Sequence, residues 1–137
     1  MDTYSTMPST LDITLKNLSD KLHINVILIV EYIHHNELET LGIASKMFIK
    51  DVEKALRVYM THVENSHTHK DDYDVRYNKI MVKQYLYRIM TYIRTLLRSI
   101  HEALRDTRFT SEKRDLFRAG LYKLHTLKDD FIYLLRL

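Results

Sequence analysis

The chain has 137 residues, a formal net charge of +3 at pH 7 and no cysteine. This length suits one domain with a sizeable core, and the lack of thiols excludes a disulfide scaffold, a thiolate zinc site and a cysteine nucleophile. A composition of 45% hydrophobic and 28% charged residues is typical of a folded protein rather than a disordered one. Two glycines and one proline offer few turns, which favours an all-α fold over a turn-rich β fold.

Charge is distributed unevenly along the chain. Residues 1–64 contain six Lys/Arg and nine Asp/Glu, whereas residues 65–137 contain fifteen and nine. This asymmetry indicates either an anionic partner for the second half or attraction between the two halves. The N-terminus does not resemble a signal peptide, and the longest apolar run, residues 26–30, is too short to span a bilayer. We therefore expect a cytoplasmic protein, compatible with a reducing compartment, that makes no membrane contact.

Three helices are predicted in residues 11–64, after a flexible arm formed by residues 1–10. The first is a short amphipathic helix whose leucines recur every three or four positions: Leu11, Leu15, Leu18 and Leu22. Asn25 is a suitable N-cap for the second helix, which is apolar on nearly every side at its start and should be the most buried of this half. Gly42 predicts a break, after which the third helix begins near residue 43 or 45.

A basic helical hairpin is predicted in residues 72–137. Residues 65–71 form the preceding polar loop, and a long helix then spans residues 72–106. Its apolar residues share one face: Leu86, Ile89, Ile93, Leu96, Ile100 and Leu104. Thr110 or Ser111 caps the last helix, and the short connection makes the two helices antiparallel. The prediction is a single all-α domain, a compact bundle of about five helices.

The long helix carries a second pattern, a wedge of cations roughly 100° wide beside its apolar stripe. The wedge contains no Asp or Glu and extends over about 43 Å. Its members are Arg76, Lys79, Lys83, Tyr87, Arg94, Arg98, His101 and Arg105. Cations in a row can neutralise nucleic-acid phosphates, and the tyrosine could stack on bases of a single strand. Two other interpretations remain open, a solvated bundle face and pairing with the acidic first half.

No pattern typical of an enzyme is present in the sequence. It contains no Gly-x-Ser-x-Gly, no phosphate-binding glycine-rich loop and no His-Glu-x-x-His. His67 and His69, with Asp71 and Asp72 nearby, offer metal-ligand atoms, but zinc sites usually need four ligands in a tetrahedral arrangement. We therefore expect a non-enzymatic protein without a cofactor and without a metal.

Residues 29–58 resemble the tailed-phage late-transcription coactivators. The matching positions are Ile29, Val30, Tyr32, Asn36, Leu38, Glu39, Ile43 and Ala44. The FIKDVEKAL segment is similar to the basic helix that follows in that family, and the ending KDDFIYLLRL is loosely similar to its acidic-apolar tail. The resemblance implies a protein that links RNA polymerase to the sliding clamp. It implies partner-binding roles for these residues: Tyr32, Asn36, Glu39, Phe131, Leu134 and Leu135.

Three functional hypotheses follow from these patterns. The first is a regulatory accessory factor, viral or microbial in style, that acts on nucleic-acid or transcription machinery and binds a protein partner. The second is a nucleic-acid-binding module that uses the basic wedge. The third is a protein–protein interaction or assembly protein, with a homodimer as one form.

Overall fold

The computed structural model describes residues 10–35, 37–68, 79–105 and 110–136. Within these ranges the chain forms helices and no strand, so the prediction of an all-α fold is confirmed. The helices are α1 (Thr10–His34), α2 (Leu38–Thr68), α3 (Lys79–Leu104) and α4 (Ser111–Leu135). The prediction of about five helices is wrong for these ranges, which contain four.

α1 is one continuous helix where the sequence patterns predict two. The buried leucine series continues past residue 22 with Val26, Ile29 and Ile33, again at steps of three or four. Asn25 therefore lies inside the helix and is not an N-cap. Burial of this stripe outweighs the modest helix propensity of the β-branched residues around it. The outer side of α1 is open to solvent, contrary to the expected burial, and exposes four large aliphatic side chains: Ile13, Ile24, Ile27 and Leu28.

α2 runs through the break that Gly42 predicts. It begins at Leu38, four residues before this glycine, and extends to Thr68, into the predicted loop. A buried stripe continues along the helix after the glycine: Phe48, Val52, Ala55, Leu56 and Tyr59. The burial of these side chains offsets the cost of one helical glycine, which is about 1 kcal/mol.

α3 and α4 follow their predicted patterns more closely. The apolar stripe of α3 is buried from Leu86 to Ile100, and Leu104 is half-buried. Thr110 is the N-cap of α4, as predicted, and its hydroxyl oxygen accepts a hydrogen bond from the Lys113 backbone N–H at 3.3 Å. Near the connection, the Arg114 guanidinium donates to the Leu104 carbonyl oxygen at 3.0 Å, which ties the two helices together.

Seen in cross-section, the four helices lie at the corners of a square. α1 lies against α2 and α3, and α4 lies against the same two helices from the other side. The order around the square is therefore α1, α2, α4 and α3, with one hydrophobic core in the middle. Phe48 of α2 and Phe131 of α4 are the largest fully buried side chains in this core.

Candidate nucleic-acid interface

The position of α3 between its two neighbours decides which way the cations face. The Tyr92 ring lies 5.4 Å from the ring of His23 in α1, measured between centroids. The His101 ring lies 6.0 Å from the ring of His125 in α4. Tyr92 and His101 are nine residues apart, which places them about 180° apart around the helix. α1 and α4 therefore flank α3 on opposite sides.

The described members of the predicted wedge, which include His101, lie on the α4 flank of α3. We call these six residues the basic face: Lys83, Tyr87, Arg94, Arg98, His101 and Arg105. All are exposed to solvent except Lys83, which is half-buried, and Tyr87 has a relative exposure of 51%. Lys79 is the first residue of α3, and Arg76 lies outside the described residues. α1, the acidic half's helix nearest to α3, is on the other flank and does not cover the basic face.

The cations of the basic face are not neutralised within the described ranges. None of them forms an ion pair with an Asp or Glu of those ranges. Acids of the first half are instead paired with other groups: Lys16–Asp20, Lys21–Asp51, His35–Glu31 and Lys123–Glu53. The hypothesis that the acidic half neutralises the wedge therefore gains no support from this part of the chain.

One edge of α4 extends the basic face, which the sequence patterns did not indicate. Arg118 lies four residues after Arg114, and His125 lies seven residues after Arg118, so these three side chains share the edge next to α3. Arg118 is exposed, and Tyr122 beside it has a relative exposure of 79%. The spacing could have been found in the sequence, but only the contact between α3 and α4 shows that the two sets adjoin. Asp129, one turn beyond His125, is the next charged residue along this edge.

The residues assigned to partner binding do not form one surface. Glu39 is exposed and Tyr32 is half-buried against the core, whereas Asn36 lies outside the described residues. Phe131 and Leu134 are buried, at 0% and 3% exposure, and Leu135 is half-buried, packed on the same core. These C-terminal side chains fill the bundle, so a partner could reach them only if α4 moved away.

The described residues show neither a metal site nor a membrane-spanning helix. In the described ranges, no group of three or more His, Asp or Glu side chains could hold a metal ion. The side chains of His67 and His69 lie outside the part of the chain that the structure describes. None of the helices in those ranges is both long and apolar enough to cross a membrane.

Comparison with known proteins does not place the chain in a family. No protein-family model matches the sequence, and no curated protein or solved structure is significantly similar to it.

Proposed function

We propose that this protein binds nucleic acid through the basic face of α3 and the adjoining edge of α4. The observation that carries the proposal is the row of exposed arginines, Arg94, Arg98 and Arg105, with no acid paired to them in the described ranges. A solvated bundle face needs no such excess of one sign, whereas a phosphate backbone does. Each phosphate that is neutralised releases counterions, so affinity depends on salt.

Single-stranded nucleic acid fits this surface best. Tyr87 and Tyr122 expose their rings beside the cations, with relative exposures of 51% and 79%. Base stacking on such rings contributes about 1–3 kcal/mol per base and tolerates any sequence. A duplex keeps its bases stacked inside, so its phosphates would contact the cations and its bases would not reach the tyrosine rings.

The test is a titration of a fluorescein-labelled oligothymidylate, followed by anisotropy between 50 and 200 mM salt. On a single strand, the four cations of the basic face alone predict a slope of log K against log salt of about −2.8, and Arg118 of α4 would bring it to about −3.5. The double variant Arg94→Gln/Arg98→Gln should reduce the slope by about 1.4. Its matched control is Lys54→Gln/Arg57→Gln, which removes the same charge from exposed positions of α2.

Two results would contradict the proposal. One is the absence of binding at 50 mM salt. The other is an equal loss of affinity in the two double variants, which would show that net charge alone attracts the strand.

A narrower proposal, an accessory factor of transcription, rests on the resemblance of residues 29–58. Among the described members of its partner-binding set, Glu39 is exposed, so the contact would lie near the connection between α1 and α2. Polymerase or clamp should be recovered from a native host with the intact chain and lost with Glu39→Lys. Deleting residues 129–137 is a poor test because it removes Phe131 and Leu134 from the core.

A second candidate function, assembly with another copy of the chain, is favoured by the outer side of α1. Ile24, Ile27 and Leu28 expose 59%, 53% and 42% of their surface within two helical turns. A twofold contact would bury this patch against its own copy. Light scattering at high concentration should then give twice 16.5 kDa, and Ile24→Gln/Ile27→Gln should restore the monomer mass. A monomer at all concentrations would exclude this function.

A further inference from the structure

A cavity of about 240 Å³, partly open to solvent, lies between the helices, and all four described helices contribute to its wall. Its wall is mainly aliphatic and aromatic. The buried side chains that line it include Ile29, Ile33, Phe48, Ile100, Phe117 and Leu124. An engineered apolar cavity of about 150 Å³ in another protein is large enough to bind benzene. The cavity described here can therefore hold a larger apolar group.

Both glycines of the chain, Gly42 of α2 and Gly120 of α4, line this cavity. A Cβ atom added at Gly42 would meet no atom within 4 Å, and one at Gly120 would meet only the Ile100 Cδ1 atom, at 4.0 Å. Neither residue has a positive φ, so neither backbone conformation requires glycine. Helix packing does not require them either, although each costs about 1 kcal/mol relative to alanine. Their effect is to leave space at the cavity.

Two lysines line the same cavity from α2 and α4. Lys46 and Lys123 are both exposed, so they lie at the mouth, between these two helices. Lys46 forms no ion pair with a described residue. The Lys123 Nζ atom lies 3.8 Å from the Glu53 Oε1 atom, and both side chains are about half exposed, which makes this pair weak. An apolar interior with cations at its opening matches an amphiphile with an anionic head.

We propose that the cavity binds a small carboxylate amphiphile, with a saturated tail of about eight carbons inside and its carboxylate between Lys46 and Lys123. The site is separate from the basic face, because its mouth lies between α2 and α4 whereas the basic face lies on α3. Failure of either proposal leaves the other intact.

The first test titrates octanoate into the full chain with ¹³C-labelled isoleucine methyl groups. The methyl resonances of Ile33 and Ile100 should shift and saturate, because both line the cavity, while those of Ile13 and Ile80 should not move. No shift at millimolar octanoate would overturn the proposal. Shifts at all isoleucines would do so too, since they indicate detergent-like binding to the surface.

A cavity-filling variant tests the location. Gly42→Leu should place its side chain in the free space at the cavity and reduce octanoate affinity at least tenfold, with the melting temperature maintained. Gly42→Ala is the matched control and should bind almost as well as the wild type. Because Gly42→Leu could also disturb α2, Gly120→Met is a second filling variant, and unchanged binding in both would refute the site.

The last variant tests the head group. Lys46→Gln/Lys123→Gln should weaken octanoate about tenfold and leave the neutral analogue 1-octanol unaffected. The control Lys54→Gln/Arg57→Gln removes two exposed α2 cations that do not line the cavity. If octanoate loses no more affinity than 1-octanol, the assignment of a carboxylate ligand is wrong.

Discussion

The two sides of this bundle are packed differently. α1 and α3 supply eight of the eleven largest fully buried side chains, and α2 and α4 supply the other three. Between α2 and α4 lie small residues instead: Gly42, Ser45, Ala119 and Gly120, all of which line the cavity. Stability is therefore concentrated where α1 meets α3, and the space for a ligand lies where α2 meets α4. Substitutions on the two sides should therefore have unequal effects on stability.

Truncation of a core side chain should be costly on the α1–α3 side. Ile93 is completely buried in α3, so Ile93→Ala should reduce the free energy of unfolding by about 2–5 kcal/mol. Leu116→Ala, at a cavity-lining position of α4 that is 42% exposed, should cost below about 1 kcal/mol. Urea unfolding of both variants measures the two values. Similar losses would show that the two sides are packed alike.

Ion pairs provide a second comparison, between the α1–α2 contact and the α2–α4 side. The Lys21 Nζ atom lies 3.0 Å from Asp51 Oδ2 between α1 and α2, where the Asp51 side chain is only 12% exposed. Lys21→Ala leaves this carboxylate nearly buried and should cost on the order of 1 kcal/mol. Lys123→Ala breaks the half-exposed pair with Glu53 and should cost a few tenths of a kcal/mol. Thermal unfolding of the two variants under identical salt should rank them in this order, and the reverse order would contradict it.

The sequence predicted the helical class and the stripe of α3 because its apolar period is uniform from Leu86 to Ile100. It did not predict the continuity of α1, since Asn25 suits an N-cap by type even though the buried series continues through Val26. Gly42 likewise predicts a break by its residue type, although the buried stripe of α2 continues after it. In both cases burial of the stripe outweighs the local preference of one residue.

The candidate site was predicted in part. Helical spacing was enough to group Arg94, Arg98 and Arg105 on one face of α3. The flank on which α1 packs could not be predicted, because it depends on contacts such as that of His23 with Tyr92 between distant segments. The cavity was not predicted either, since it is formed by side chains that are small or missing on two helices far apart in sequence. The two helical glycines were its only local signal.

Glycine replacement should stabilise the α2–α4 side. An alanine at Gly42 or Gly120 meets no close contact and gains helix propensity, so each single variant should increase the free energy of unfolding by about 0.5–1 kcal/mol. Differential scanning calorimetry is a suitable measurement. The two effects should add, because nothing links the two positions directly. A decrease in stability would mean that the space beside these glycines is filled in solution.

A pH-dependent effect, the smallest expected here, should arise on the α1–α2 side. His62 of α2 is only 4% exposed, and its burial lowers the pKa of the imidazole below the ordinary value near 6.5, although the Asp12 carboxylate opposes this. The folded chain then binds fewer protons than the unfolded chain, so stability is complete above about pH 6.5 and decreases as the pH falls through that value.

Asp12→Asn should make this decrease steeper, because the opposing charge is removed. His62→Gln should make the decrease shallower, because it removes the buried imidazole. Urea midpoints measured between about pH 7 and 5 follow the effect before most carboxylates are protonated. Equal slopes in the wild type and His62→Gln would show that the proton taken up on unfolding binds elsewhere.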